Sequence, residues 1–176
     1  MAVYRPSSQG FYRMDNLIEQ PSDESFMKEA LRLAQKAFAK EEVPVGAIVV
    51  RAGKIIARAF NQVELLKDAT AHAEMLAITQ AEAAVGDWRL NECDLYVTKE
   101  PCPMCAGAIV HVRIRRVIFG CADPRGGAAG SALNLLQMPT LNHHCEIRAG
   151  ILAGECASLL QSFFQARRRG EQVPDA

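Results

Sequence analysis

No apolar run in the 176-residue chain extends beyond a few positions. A membrane-spanning helix needs about 20, so the chain is read as soluble, with no membrane partner. Neither sign of charge is in excess: 20 Lys and Arg balance 20 Asp and Glu. That argues against a general polyanion binder, while a local basic patch could still hold a nucleic acid. Cysteine is sparse, with six at irregular positions 93, 102, 105, 121, 145 and 156. Such spacing is not that of a small disulfide-stapled secreted domain; it directs a Cys-x-x-Cys pair toward metal or redox chemistry in a reducing, cytoplasmic setting. No internal repeat is visible. Around Arg5 and Arg13 there is no apolar core of the kind a secretory signal carries, although acid-free Met1 to Met14 permits a transit peptide by composition. The glycine-rich stretch Gly126-Gly127-Ala128-Ala129-Gly130-Ser131 is not followed by the lysine of a triphosphate cradle, so it is read as a flexible surface loop.

What is present is enough for one packed domain, since 49% of the residues are hydrophobic. Residues 1–21 read as a flexible extension, 22–170 as the domain and 171–176 as a tail. Ser22 can cap a helix whose first turn holds Asp23 and Glu24, with Phe26, Ala30, Leu33 and Ala37 at helical spacing up to about Lys40. Val45 to Arg51 and Lys54 to Phe60 form a hairpin, the first strand buried on both faces and the second nearer an edge. Asn61 to Asp68 is loop. A second helix, capped by Thr70 or its neighbour, runs to Gly86. Cys93 to Thr98 alternates as a strand, a third helix follows Pro101-Cys102-Pro103 to about Val112, and Arg116 to Gly120 is another strand. A short helix at Ala132 to Gln137, a weak strand at Cys145 to Ile147 and a last helix from Gly154 to Arg169, with Leu159, Leu160, Phe163 and Phe164 as its buried stripe, complete the chain. Strands alternating with helices imply an α/β domain of three layers, helices on both sides of a mixed sheet.

The stretch from Ala71 to Cys105 organises the rest. Cys102 and Cys105 with His72 supply three good zinc donors. A structural zinc normally takes four protein ligands, whereas a catalytic one keeps a position open for water. Cys93, Cys121, Cys145 and Cys156 lie in apolar surroundings and His111 near a helix end, so these read as packing residues and the fourth position stays open. Glu74, two residues past the histidine, faces that position without having to bind the metal. Zinc lowers the pKa of bound water from 15.7 to about 7, and Glu74 would carry its proton to a ring nitrogen and to a departing amine. His-x-Glu followed by Pro-Cys-x-x-Cys is the general pattern of zinc nucleobase deaminases. The plainer readings are a redox pair or half of a structural zinc site for the cysteines, and a first-turn glutamate favoured by the helix dipole for Glu74.

From Phe26 to Arg169 the chain resembles the bacterial tRNA-specific adenosine deaminases, within the zinc-dependent cytidine and deoxycytidylate deaminase superfamily. The stretches that carry the resemblance are Glu42-Val43-Pro44-Val45-Gly46-Ala47, Thr70-Ala71-His72-Ala73-Glu74, Glu100-Pro101-Cys102 with Met104-Cys105-Ala106-Gly107-Ala108, Gly127 to Ser131, Leu141-Asn142-His143, and Phe163-Phe164 before Arg167-Arg168. The resemblance implies a cytidine-deaminase-like fold with about five strands, one zinc per subunit and a homodimer whose partner helps form the RNA face. The implied substrate is a tRNA anticodon stem-loop, whose wobble adenosine becomes inosine with release of ammonia. It also implies roles for single residues. Asn61 would read the flipped base, and Ala73 would offer backbone groups to the pocket. Asp123 would touch the neighbouring sugar, and Asn142, His143, Phe164 and Arg167 would line the RNA groove. Asn61 and Asp123 are equally ordinary turn residues on their own. Ala69, Lys99, Cys121 and Gly126 depart from the family pattern. Two alternatives stay open: a deaminase of a free base or nucleoside of guanine or cytosine type, and a non-catalytic zinc-stabilised interaction module.

Overall fold

The computed structural model describes residues 21–170, so the expected extension and tail lie outside the described residues except at Pro21. The elements in chain order are α1 (Asp23–Ala39), β1 (Gly46–Arg51), β2 (Lys54–Phe60), α2 (Val63–Leu66), α3 (Ala73–Val85), β3 (Cys93–Lys99), α4 (Pro103–His111), β4 (Arg116–Cys121), β5 (Glu146–Ala149) and α5 (Ala153–Arg169). The strands form one sheet in the order β2-β1-β3-β4-β5. β1 pairs antiparallel with both β2 and β3, whereas β3, β4 and β5 run parallel. Helices α1 and α5 share one face and α3 and α4 the other, which gives the expected mixed five-stranded α/β/α sandwich.

Local chemistry explains the elements. Ser22 caps α1, its side chain accepting from the Ser25 N–H. Gly46 opens β1 because α1 lies directly on it: a Cβ there would strike the backbone of Ala30 and Ala34. β1 is buried at every position but Arg51, as a strand between two helical layers must be. β3 is buried at every position but Lys99 and does not alternate. Its polar members are paired inside: Asp94 accepts from Arg115 and Arg116, and Thr98 Oγ1 accepts from the Gly46 N–H. Arg115 and Arg116 therefore tie the start of β4 to β3, and Arg116 reaches Asp23 of α1 as well.

Three further expectations are corrected. The loop at Asn61 to Asp68 contains the one-turn helix α2. Thr70 does not cap α3; it is folded back on Asp68, and His72 is the N-cap. No helix forms at Ala132 to Gln137. Instead the chain doubles back, with Ala132 and Leu133 donating to the Gly127 carbonyl and Ala129 bridging Asn134, since six residues are too few to nucleate a helix against such competition.

Candidate active site

Parallel β3 and β4 end side by side, and α3 and α4 both begin near that end of the sheet. His72 and Cys102 are the N-cap residues of α3 and α4, and neither side chain makes a capping hydrogen bond. Both are thereby free to face one another across the positive ends of two helix dipoles. Pro103 at the start of α4 has no N–H to leave unpaired. One helical turn on, Cys105 joins them, fully buried.

His72 Nδ1 lies 3.6 Å from Cys102 Sγ and 3.5 Å from Cys105 Sγ. Tetrahedral zinc with Zn–N of about 2.0 Å and Zn–S of about 2.3 Å sets its nitrogen and sulfur ligands about 3.5 Å apart. The donor set and its spacing therefore fit zinc. Among the described residues no other cluster of three such side chains is close enough to hold a metal, and Cys93, Cys121, Cys145 and Cys156 are buried packing residues, as expected. Without metal the three groups share protons. The hydrogen bond from the Cys105 thiol draws Cys102 down to about 3, and Cys105, which keeps the proton, is pushed up. A divalent cation would hold all three as deprotonated donors.

Glu74, in the first turn of α3 and 4% exposed, lines the same cavity as His72 and Cys102. Burial pushes its carboxyl above the ordinary carboxylate range. The cavity has a volume of about 320 Å³, and Asn61, Glu42, Lys99 and Phe164 also line it. Asn61 is 6% exposed and Phe164 44%, so the first belongs to the wall and the second to the mouth. Phe163, its neighbour, is core against Phe38. The buried stripe of α5 is thus Cys156, Leu160 and Phe163, and Phe164 is outside it.

Lys99, which lines the cavity, pairs with Asp123, Nζ to Oδ2 2.5 Å, and this ion pair holds the Asp123 carboxyl below its usual range. The other oxygen of Asp123 accepts from the Arg125 and Gly126 N–H groups, so Asp123 also makes the turn. The glycine-rich loop that follows is not a free surface loop. Gly127, Ala128 and Ala129 are buried around the Glu100 carboxylate, which accepts from the N–H groups of Asp123, Ala129 and Ser131 and from the Ser131 hydroxyl. A Cβ on Gly127 would overlap that carboxylate. Burial opposes ionisation of Glu100, but these hydrogen bonds outweigh it and hold its carboxyl below the ordinary range.

Not every residue singled out from sequence converges here. Ala73 is buried between His72 and Glu74. Arg167 lies over the Phe163 ring and donates to the Glu41 carbonyl at 3.0 Å, one helical turn from Phe164. Asn142 is exposed, and His143 Nε2 donates to the Ile114 carbonyl at 2.7 Å, before the start of β4. The cluster of His72, Cys102 and Cys105 lies beyond the other end of that strand, roughly 20 Å away at about 3.3 Å per residue. Sequence reasoning gave Glu42, Glu100 and Lys99 no role. For Lys99 the signal available was a charge at the end of a buried strand, where an unpaired charge is costly; Glu42 and Glu100 carried no such signal.

Comparison with known proteins identifies the family. The MafB19-like deaminase family matches residues 21–168. A tRNA-specific adenosine deaminase of Bacillus subtilis is 51% identical over 151 residues, 86% of this chain and 94% of the relative. The chloroplastic tRNA(adenine(34)) deaminase of Arabidopsis thaliana is 46% identical over 161 residues, spanning 82% of this chain but 12% of that protein. Among solved structures, one from a study of A-to-I editing by tRNA:A34 deaminases at the wobble position superposes with a TM-score of 0.74 and 45% identity, covering 76% of this chain and 97% of that one. Guanine deaminase from Bacillus subtilis gives a TM-score of 0.58 at 32% identity, covering 85% of this chain and 95% of that one.

Proposed function

The chain belongs to the tRNA-specific adenosine deaminases, and we propose that it hydrolyses the wobble adenosine of a tRNA anticodon loop to inosine, with one zinc ion per subunit held by His72, Cys102 and Cys105. The observation that carries this is the placement of three zinc donors at tetrahedral spacing beside a buried glutamate in a cavity with an aromatic mouth. Zinc, when bound, supplies the Lewis acidity that makes hydroxide available at neutral pH. Glu74 takes the proton of the attacking water, passes it to the purine ring nitrogen beside the reacting carbon, and assists loss of the amine as ammonia. Water and adenosine are consumed; inosine and ammonia leave.

Asn61 holds the extruded base from the wall, and the Ala73 backbone adjoins it. Phe164 stacks on a base at the mouth, and Asp123, steadied by Lys99, meets the adjacent sugar. Asn142 and His143 serve the RNA groove from the far end of β4, and a homodimer would set one subunit's far end beside the other's pocket. The outer face of α4, with exposed Pro103, Met104, Gly107 and His111, is free of acidic residues, lysine and arginine, and suits such a contact. The deaminase domain is taken as residues 22–170. The described residues contain no helix long and apolar enough to cross a membrane, and the six unpaired cysteines suit a reducing cytoplasm.

The test is to incubate the zinc-loaded chain with an anticodon stem-loop and with free adenosine, guanine and cytidine. Inosine at the wobble position, without turnover of the free compounds, is expected; ammonia from a free compound alone would overturn the reading. Arg167→Ala is expected to weaken stem-loop binding and to lower the slope of log K against log[salt] by about one. An unchanged slope would remove Arg167 from the groove.

A further inference from the structure

Glu42 follows α1, is 1% exposed and lines the cavity with His72 and Glu74. A carboxylate removed from water is costly unless its oxygens are hydrogen-bonded. Those of Glu42 are bonded to two different parts of the pocket. Oε1 accepts from the Leu65 N–H at 2.7 Å, which ties down α2 and with it the wall residues Val63 and Glu64. Oε2 accepts from Asn61 Nδ2 at 3.1 Å.

The second bond removes an ambiguity. An asparagine amide can be turned through 180° with almost no change of shape, exchanging its donor and acceptor ends. A carboxylate accepts and does not donate, so Asn61 must turn its NH2 toward Glu42 and its carbonyl oxygen away. The Asn61 backbone is fixed as well, its N–H donating to the Val45 carbonyl at 3.0 Å. Location is therefore settled by the chain and polarity by Glu42.

We propose that Glu42 is a positioning residue that sets the hydrogen-bonding polarity Asn61 shows to the purine, and so the one orientation in which the base is accepted over Glu74. The edges of a purine carry donors and acceptors in fixed order, so a reversed amide would set donor against donor. This rests on the adenosine deaminase reading; Glu42 touches the base only through Asn61.

Glu42→Gln tests it. The glutamine oxygen keeps the Leu65 N–H, its NH2 then faces Asn61, and the Asn61 amide must turn over. The specificity constant for the stem-loop is expected to fall about tenfold at unchanged zinc content. In an Asn61→Ala background the same substitution should cost no more than about twofold, because the group it acts through is gone. An equal loss in both backgrounds would overturn the proposal. A second measurement needs no substrate and no folded Glu42 variant: in the 15N-labelled natural chain one Asn61 side-chain NH2 proton should be shifted downfield and exchange slowly with water. Both protons at free-amide positions and in rapid exchange would overturn it, whatever the enzyme's substrate proves to be.

Discussion

Glu74→Gln is expected to lower inosine formation by about 10³-fold while leaving about one zinc per chain. The substitution keeps the shape of the side chain and part of its hydrogen bonding, and removes only its ability to take up and release a proton. Position matters as much as chemistry. Glu74 is two residues beyond His72 in the first turn of α3, and it lines the cavity that His72 and Cys102 also border. At 4% exposure it is desolvated, which raises its proton affinity above that of an exposed carboxylate. A first-turn glutamate that merely offset the helix dipole would sit in solvent and be worth less than about 1 kcal/mol. The measurement is single-turnover conversion of the stem-loop with metal counted in the same sample. Turnover within tenfold of the natural chain, at full metal content, would refute the shuttle.

The clustering of His72, Cys102 and Cys105 with Glu74 close by was legible in the sequence because its chemistry is local. Cys-x-x-Cys places two thiols within one helical turn, and His-x-Glu places an imidazole and a carboxyl at the start of another. Only the meeting of α3 and α4 had to come from the fold. Glu100 and Glu42 were not legible for the opposite reason. A lone glutamate in a sequence reads as surface, since charged residues are almost never buried unless paired. The partners of Glu100 are backbone N–H groups at Asp123, Ala129 and Ser131, and those of Glu42 are Asn61 and the Leu65 N–H. No pattern marks a backbone donor in advance. The same carboxylate explains the missing helix at Ala132 to Gln137, because the loop it gathers leaves the following residues to hydrogen-bond back to Gly127 and Ala128. Phe164 was placed with the core stripe by its neighbour Phe163, but successive helix positions lie about 100° apart and only one of the two can face inward.

Cys102→Ser is expected to bring zinc from about one per chain to near zero and inosine formation to background. A serine hydroxyl is a poor zinc donor at neutral pH because it stays protonated, whereas the Cys102 thiol is drawn down to about 3 by its neighbours and is ready as a thiolate. Two donors, His72 and Cys105, would remain, too few to hold zinc at this open site. Loss of the metal also removes its linkage to folding. At a free zinc concentration 100 times the dissociation constant, that linkage is worth about 2.7 kcal/mol, a melting shift of roughly 5–10 °C for a domain of this size. Stripping zinc from the natural chain with a chelator should therefore lower its melting temperature into the range of Cys102→Ser, while the chelator leaves the variant unmoved. Coincident melting of the two metal-free proteins would separate loss of the ion from damage to the fold, since Cys102 is a half-buried N-cap whose side chain makes no capping bond. Retention of about one zinc by the serine variant would remove Cys102 from the ligand set, and the three-donor site would no longer account for the chemistry.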